Sequence, residues 1–151
     1  MLLSTLMALG LTAGGSAGPT AQDGLLLCAK IERNVRALID WTTTECQFGT
    51  NADGGFDLIL VSSQPVFSVE ASRKAWMLVA IAATAEATRT SSTRTGQLVM
   101  TDRNLVADRK GYAIDTAAAR SIQGRMKRDE LALDDALAEI GDALRTYKVK
   151  P

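Results

Sequence analysis

The side chains that could do chemistry are few, and what is missing from them is informative. The sequence contains no histidine, which removes Ser-His and Cys-His nucleophiles, His-ligated zinc or haem, and the usual proton shuttle near neutral pH. It also lacks a Gly-rich phosphate loop, a Gly-x-Ser-x-Gly elbow and a Ser-x-x-Lys motif. Ser72 and Lys74 lie two apart in a helical stretch and do not face each other. The pair Asp134-Asp135 falls on the exposed side of an amphipathic helix, where nothing raises a carboxyl pKa for acid catalysis. Asn51, Asp53 and Asp57 lack the further oxygens and the closing Glu of a calcium loop. No catalytic residue, metal ligand or cofactor is therefore expected.

Two cysteines remain, Cys28 and Cys46. Their spacing is not Cys-x-x-Cys, and two thiols alone rarely define a metal site. Beside an export signal they point to a disulfide. Thirteen helical residues from Cys28 climb ~20 Å, and five extended residues reach back ~17 Å. With a Cα separation of up to ~6.8 Å across the bridge, closure requires a sharp reversal at Asp40-Trp41. Such a loop contributes roughly 3 kcal/mol on the chain-entropy argument.

The elements that would position a site begin with two short aliphatic runs, Asp57–Val61 and Gln97–Thr101, which read as nearly buried strands. Between them Ala75–Ala83 is apolar on every face, and helix formers continue through Ala87. The pattern predicts a helix from Val69 to about Thr88, opening near Ser68 with Glu70 in its first turn. A helix between two strands crosses the sheet and returns parallel. Ligands of such units bind beyond the carboxyl ends of the strands, which makes Ser62, Ser63, Ser68, Arg73, Asp102 and Arg103 the candidate ligand-binding residues. Arg73 and Lys74 oppose the helix dipole unless an anion or Glu70 offsets them.

The opening stretch, a Leu/Met/Ala run followed by small and helix-breaking residues, reads as a signal peptide over residues 1–21, cleaved after Ala17 or Ala21; no Lys or Arg precedes the run. Leu27, Ile31, Val35, Leu38 and Trp41 form a helical stripe ending near Asp40, and an extended segment follows. Leu105 to Ile114 reads as a hairpin turning near Arg109-Lys110-Gly111, with Tyr112–Ile114 as an added antiparallel strand. Asp115-Thr116 caps a helix to about Lys127. Asp129-Glu130 opens a last one with the stripe Leu133, Leu137, Ile140, Leu144 and Tyr147.

The whole predicts a single αβ domain over residues 22–151. Its class is α+β or α/β, with a small sheet of about three strands, a β-α-β crossover and about four covering helices. Lys+Arg 17 balances Asp+Glu 17, so no overall field draws the chain to nucleic acid, and no apolar run after the leader is long enough to span a bilayer. Charge is nonetheless clustered, with Arg125 and Arg128 just before Asp134 and Asp135; these four are the candidate partner-binding residues. The expected function is that of an exported, periplasmic or secreted, non-enzymatic accessory domain binding another protein or a second copy of itself. The alternative is a small-ligand-binding protein or small enzyme using a pocket at the carboxyl ends of strands 57–61 and 97–101.

Overall fold

The computed structural model describes residues 20–148, so the expected leader lies, apart from Thr20 and Ala21, outside the described residues. The first helix, α1 (Ala21–Leu38), starts on a capping box: the Asp23 amide donates to Thr20 Oγ1 at 3.2 Å, and the Thr20 amide donates to Asp23 Oδ2 at 2.8 Å. These bonds satisfy two donors that the first turn would otherwise leave open. Leu27, Ile31 and Val35 are buried as the stripe predicts. Leu38 and Trp41 are exposed instead, because the helix stops at Leu38 and the chain turns there.

That reversal sends β1 (Thr44–Thr50) back along α1, and Cys28 and Cys46 form the expected disulfide with a Cα separation of 5.2 Å. Glu32, one turn beyond Cys28, accepts the Cys46 amide at 2.8 Å. This covers a backbone donor that a sheet edge leaves unpaired. β2 (Phe56–Ser62) pairs antiparallel with β1, and the crossover helix α2 (Glu70–Arg89) leads to β3 (Thr95–Asp102), which lies parallel to β2. The strand–helix–strand unit is thus present as expected. Its helix starts at Glu70, with Val69 rather than Ser68 at the cap. The short α3 (Arg103–Ala107) joins β3 to β4 (Lys110–Asp115); β4 is antiparallel as predicted, but Leu105–Ala107, expected in a hairpin, is helical because Asp102 caps it, accepting the Asn104 and Leu105 amides. α4 (Thr116–Lys127) and α5 (Leu133–Ala143) follow.

The sheet has five strands in the order β1-β2-β3-β4-β5, not about three. The two unexpected members are its edges. Tyr147, expected on the last helix, lies in β5 (Arg145–Lys148) and pairs with Gly111; Thr146 and Tyr147 favour a strand, and the segment takes up the free edge of β4 once α5 ends at Ala143. The four longer helices lie together on one face. Leu58, Leu60, Leu98, Met100 and Ile114 share a buried cluster with Ile31 of α1, Trp76 and Ile81 of α2, Ile122 of α4 and Ile140 of α5. α2 is flanked by α1 and α4, so an all-round apolar surface suits it. Asp57, Ile59 and Val61 point to the opposite face and are half-buried. Among the described residues no helix is long and apolar enough to cross a membrane.

Candidate functional site

Ser62 and Asp102 end the two parallel strands and lie opposite each other in register. Both are almost wholly buried, and their polar atoms are engaged. Asp102 Oδ1 accepts the amides of Asn104 (3.0 Å) and Leu105 (2.8 Å), capping α3, while Oδ2 accepts the Phe67 amide at 2.9 Å. One carboxylate thereby ties the end of β3 to the loop after β2. Ser62 Oγ lies 2.8 Å from Thr42 Oγ1 and accepts the Gln64 amide. Ser63 Oγ lies 3.2 Å from Thr42 Oγ1 and accepts the Thr43 amide. Ser68 and Arg103 are exposed. Within this group the structure brings together Ser62, Ser63 and Asp102 at the strand ends, and it sets Arg73 apart, on the helix-covered side.

There Arg73 lines a hollow of about 220 Å³ between the start of α2, the helix-facing side of β4 and the second half of α5. Its wall is Phe67, Met77, Leu137, Ile140 and Leu144, with Lys74, Tyr112 and Gly141 completing it. These side chains are placed by α2, β4, α5 and a 3-10 turn at Val66–Ser68 that carries Phe67. Phe67 is held by the Asp102 bond to its amide, stacks on Tyr112 with ring centroids 5.2 Å apart, and meets Trp76 edge-on at 5.8 Å. Leu137, Ile140, Gly141 and Leu144 recur at three and four residues along α5 and so share one side of it. A second hollow lies on the other side of Tyr112, where Lys110 stands opposite Lys148. Its apolar lining is Leu105 with the rings of Tyr112 and Tyr147, and both of its cations are lysines, so it lacks the planar guanidinium fork of the first hollow.

The cations at the first hollow differ in their company. Lys74 forms an ion pair with Glu70 at 2.7 Å. That hydrogen bond, the Lys74 charge and the nearby Arg73 charge hold the Glu70 carboxyl below its ordinary pKa. The Arg73 amide donates to the Val69 carbonyl at 2.9 Å, but its guanidinium makes no ion pair or hydrogen bond among the described residues. Two cations and no carboxylate line the hollow, so its rim is electropositive.

The clustered charges of the C-terminal helices are disposed differently. Arg125 grips Glu139 with two bonds, at 2.6 and 3.2 Å, and Arg128 grips Glu130 at 2.9 and 3.1 Å. The Glu130 partner raises the Arg128 pKa further, and the Arg128 hydrogen bond lowers that of Glu130. Asp134 and Asp135 are exposed in the first turn of α5, where the helix dipole favours them.

Asn51 and Asp57 also have structural tasks. Asn51 Oδ1 accepts the Asp53 and Gly55 amides, and Asp57 accepts from Asn51 Nδ2 and from Gln97. Among the described residues no group of three His, Cys, Asp or Glu side chains is placed to hold a metal ion. Sequence reasoning missed Phe67, Tyr112, Leu137, Gly141 and Leu144 as neighbours of Arg73. The one available signal was Val66-Phe67, an apolar pair inside a turn-rich segment. Comparison of the chain with protein-family models, curated proteins and solved structures finds no match.

Proposed function

We propose that the protein is an exported, non-enzymatic binding domain whose recognition site is the hollow between α2, β4 and α5. The observation that carries this reading is the pairing, in one concavity, of an apolar wall with a guanidinium that has no side-chain partner among the described residues; binding sites combine apolar surface with a few convergent polar groups. Binding rather than catalysis is favoured because Asp102, the buried carboxylate nearest the strand ends, is committed to three backbone amides.

Export is supported by the leader-like opening stretch and by the disulfide, which suits an oxidising compartment. The Thr20–Asp23 capping box favours processing after Ala17 over Ala21, since the later cut would remove Thr20. A second reading, docking of a protein partner on α5, rests on exposed Asp134 and Asp135 alone. The expected partner surface is otherwise self-neutralised, because Arg125 and Arg128 are paired.

The test is a fragment screen by 1H–15N NMR on the full-length chain, expressed with export and purified oxidised. Shifts concentrated at Phe67, Tyr112 and Gly141 support the hollow. A library in which no fragment moves them overturns it. Shifts that follow Asp134→Lys and Asp135→Lys, with a co-purified partner lost, would favour the second reading.

A further inference from the structure

Taking the hollow as the binding site, we infer that its ligand is a small amphiphilic monocarboxylate: one aromatic ring, or an acyl chain of similar bulk, bearing a carboxylate that Arg73 grips. This inference rests on that reading and adds the ligand's chemical class.

Size sets the first limit. The hollow, at about 220 Å³, exceeds the ~150 Å³ of an engineered apolar cavity that takes up benzene, and is below the ~300–1,000 Å³ of pockets for drug-sized molecules. It has room for one ring and a short arm. Its Phe67–Tyr112 stack supplies aromatic surface, and Met77, Leu137 and Ile140 supply aliphatic surface.

Charge sets the second. Lys74 is engaged by Glu70, which leaves the guanidinium of Arg73 as the available cation. Its planar fork matches a carboxylate through two parallel hydrogen bonds. One uncommitted cation suits one anionic charge, while a ligand amine would face that cation with no carboxylate in the lining.

The third observation is Gly141. A glycine inside a helix costs up to ~1 kcal/mol relative to alanine, and such a residue normally has a packing reason. Gly24 of α1 has one, since a Cβ there would stand 2.3 Å from the Phe48 ring. At Gly141 a Cβ would meet nothing within 4 Å, yet the residue lines the hollow. Its bare backbone leaves the mouth wider than any other residue would.

The experiment titrates the oxidised full chain with phenylacetate and with its neutral isostere phenylacetamide, followed by NMR into the millimolar range. Phenylacetate is expected to bind about tenfold tighter, as a charge-assisted bond requires. Arg73→Gln should abolish that preference, with the larger loss falling on phenylacetate, while Gly141→Leu should block both ligands in a protein that still folds. Equal affinities in the wild type would sink the carboxylate assignment and leave the hollow standing. If neither ligand binds, the hollow itself fails as the site. Tighter binding of a peptide ending in phenylalanine than of phenylacetate would overturn the small-molecule assignment in favour of peptide C-terminus recognition.

Discussion

The two charged regions of the molecule behave in opposite ways. Around α4 and α5 the sequence crowds bases before acids, and the fold spends them on each other: Arg125 on Glu139, Arg128 on Glu130. At the start of α2 there are only Glu70, Arg73 and Lys74, yet one cation is left over because the single acid takes Lys74. Charge density along a chain therefore says little about which charge is available. Availability depends on what stands three or four residues away, and on whether the neighbouring surface is wet or apolar. The C-terminal helices present paired arginines and exposed acids to solvent, whereas the α2 site sets a cation with no side-chain partner among the described residues beside an apolar concavity.

The strongest way to break this contrast is to remove what shapes the hollow. Asp102→Ala deprives three amides of a buried carboxylate and should cost about 3 kcal/mol or more of folding stability in urea denaturation; any folded remainder should lose order at Phe67. A loss under about 1 kcal/mol would mean that the carboxylate is not the tie described.

Opening the disulfide comes close behind. Cys28→Ser with Cys46→Ser should lower stability by roughly 3 kcal/mol. The bridge joins α1 to β1, neither of which lines the hollow, so ligand affinity at a temperature where the variant is folded should not change.

Smaller effects separate the two charged regions. Gly141→Ala should raise stability by about 0.5–1 kcal/mol through helix propensity, with no clash to offset it. A double-mutant cycle on Arg125 and Glu139, both partly solvent-accessible, should return only about 0–1 kcal/mol.

The least effect is the acid dependence of the exposed pairs. Glu70 and Glu130 both titrate below their ordinary pKa, through hydrogen bonds to Lys74 and Arg128 respectively. In the folded state they hold their protons less tightly than in the unfolded chain. The pairs therefore stabilise the fold above the unfolded carboxyl pKa, and that increment is lost as pH falls through the lower folded value. Lys74→Gln and Arg128→Gln should each flatten the melting temperature's slope with pH in the acid range. An unchanged slope would mean that the pairs are not formed in solution.

Much of the frame was legible in the sequence because it rests on local pattern. The aliphatic runs at 57–61 and 97–101 and the apolar helix between them specified a parallel pair. The Cys28–Cys46 spacing, with a turn near Asp40, specified a closable bridge. The edge strands were harder. Thr44–Thr50 is interrupted by Glu45 and Gln47, and Arg145–Lys148 continues the three-and-four spacing of α5 through Tyr147, so its strand character comes from the open side of β4 and not from its own pattern. The hydrogen-bond roles of Ser62, Ser63 and Asp102 were hidden for a related reason. A serine or an aspartate at a strand end reads alike whether it faces a ligand or a backbone amide, and their partners, Thr42 and Phe67, arrive from other segments. The lining of the hollow comes from the 3-10 turn at Val66–Ser68, α2, β4 and α5, a convergence that no single stretch of sequence encodes.

The most direct test of the central claim is the residue-resolved map of phenylacetate binding on the oxidised protein. Saturable shifts at Phe67, Arg73, Tyr112 and Gly141, with the amides around Arg125, Arg128, Asp134 and Asp135 unmoved, are the predicted result. Shifts confined to α4 and the first turn of α5, or none at any concentration, would contradict it.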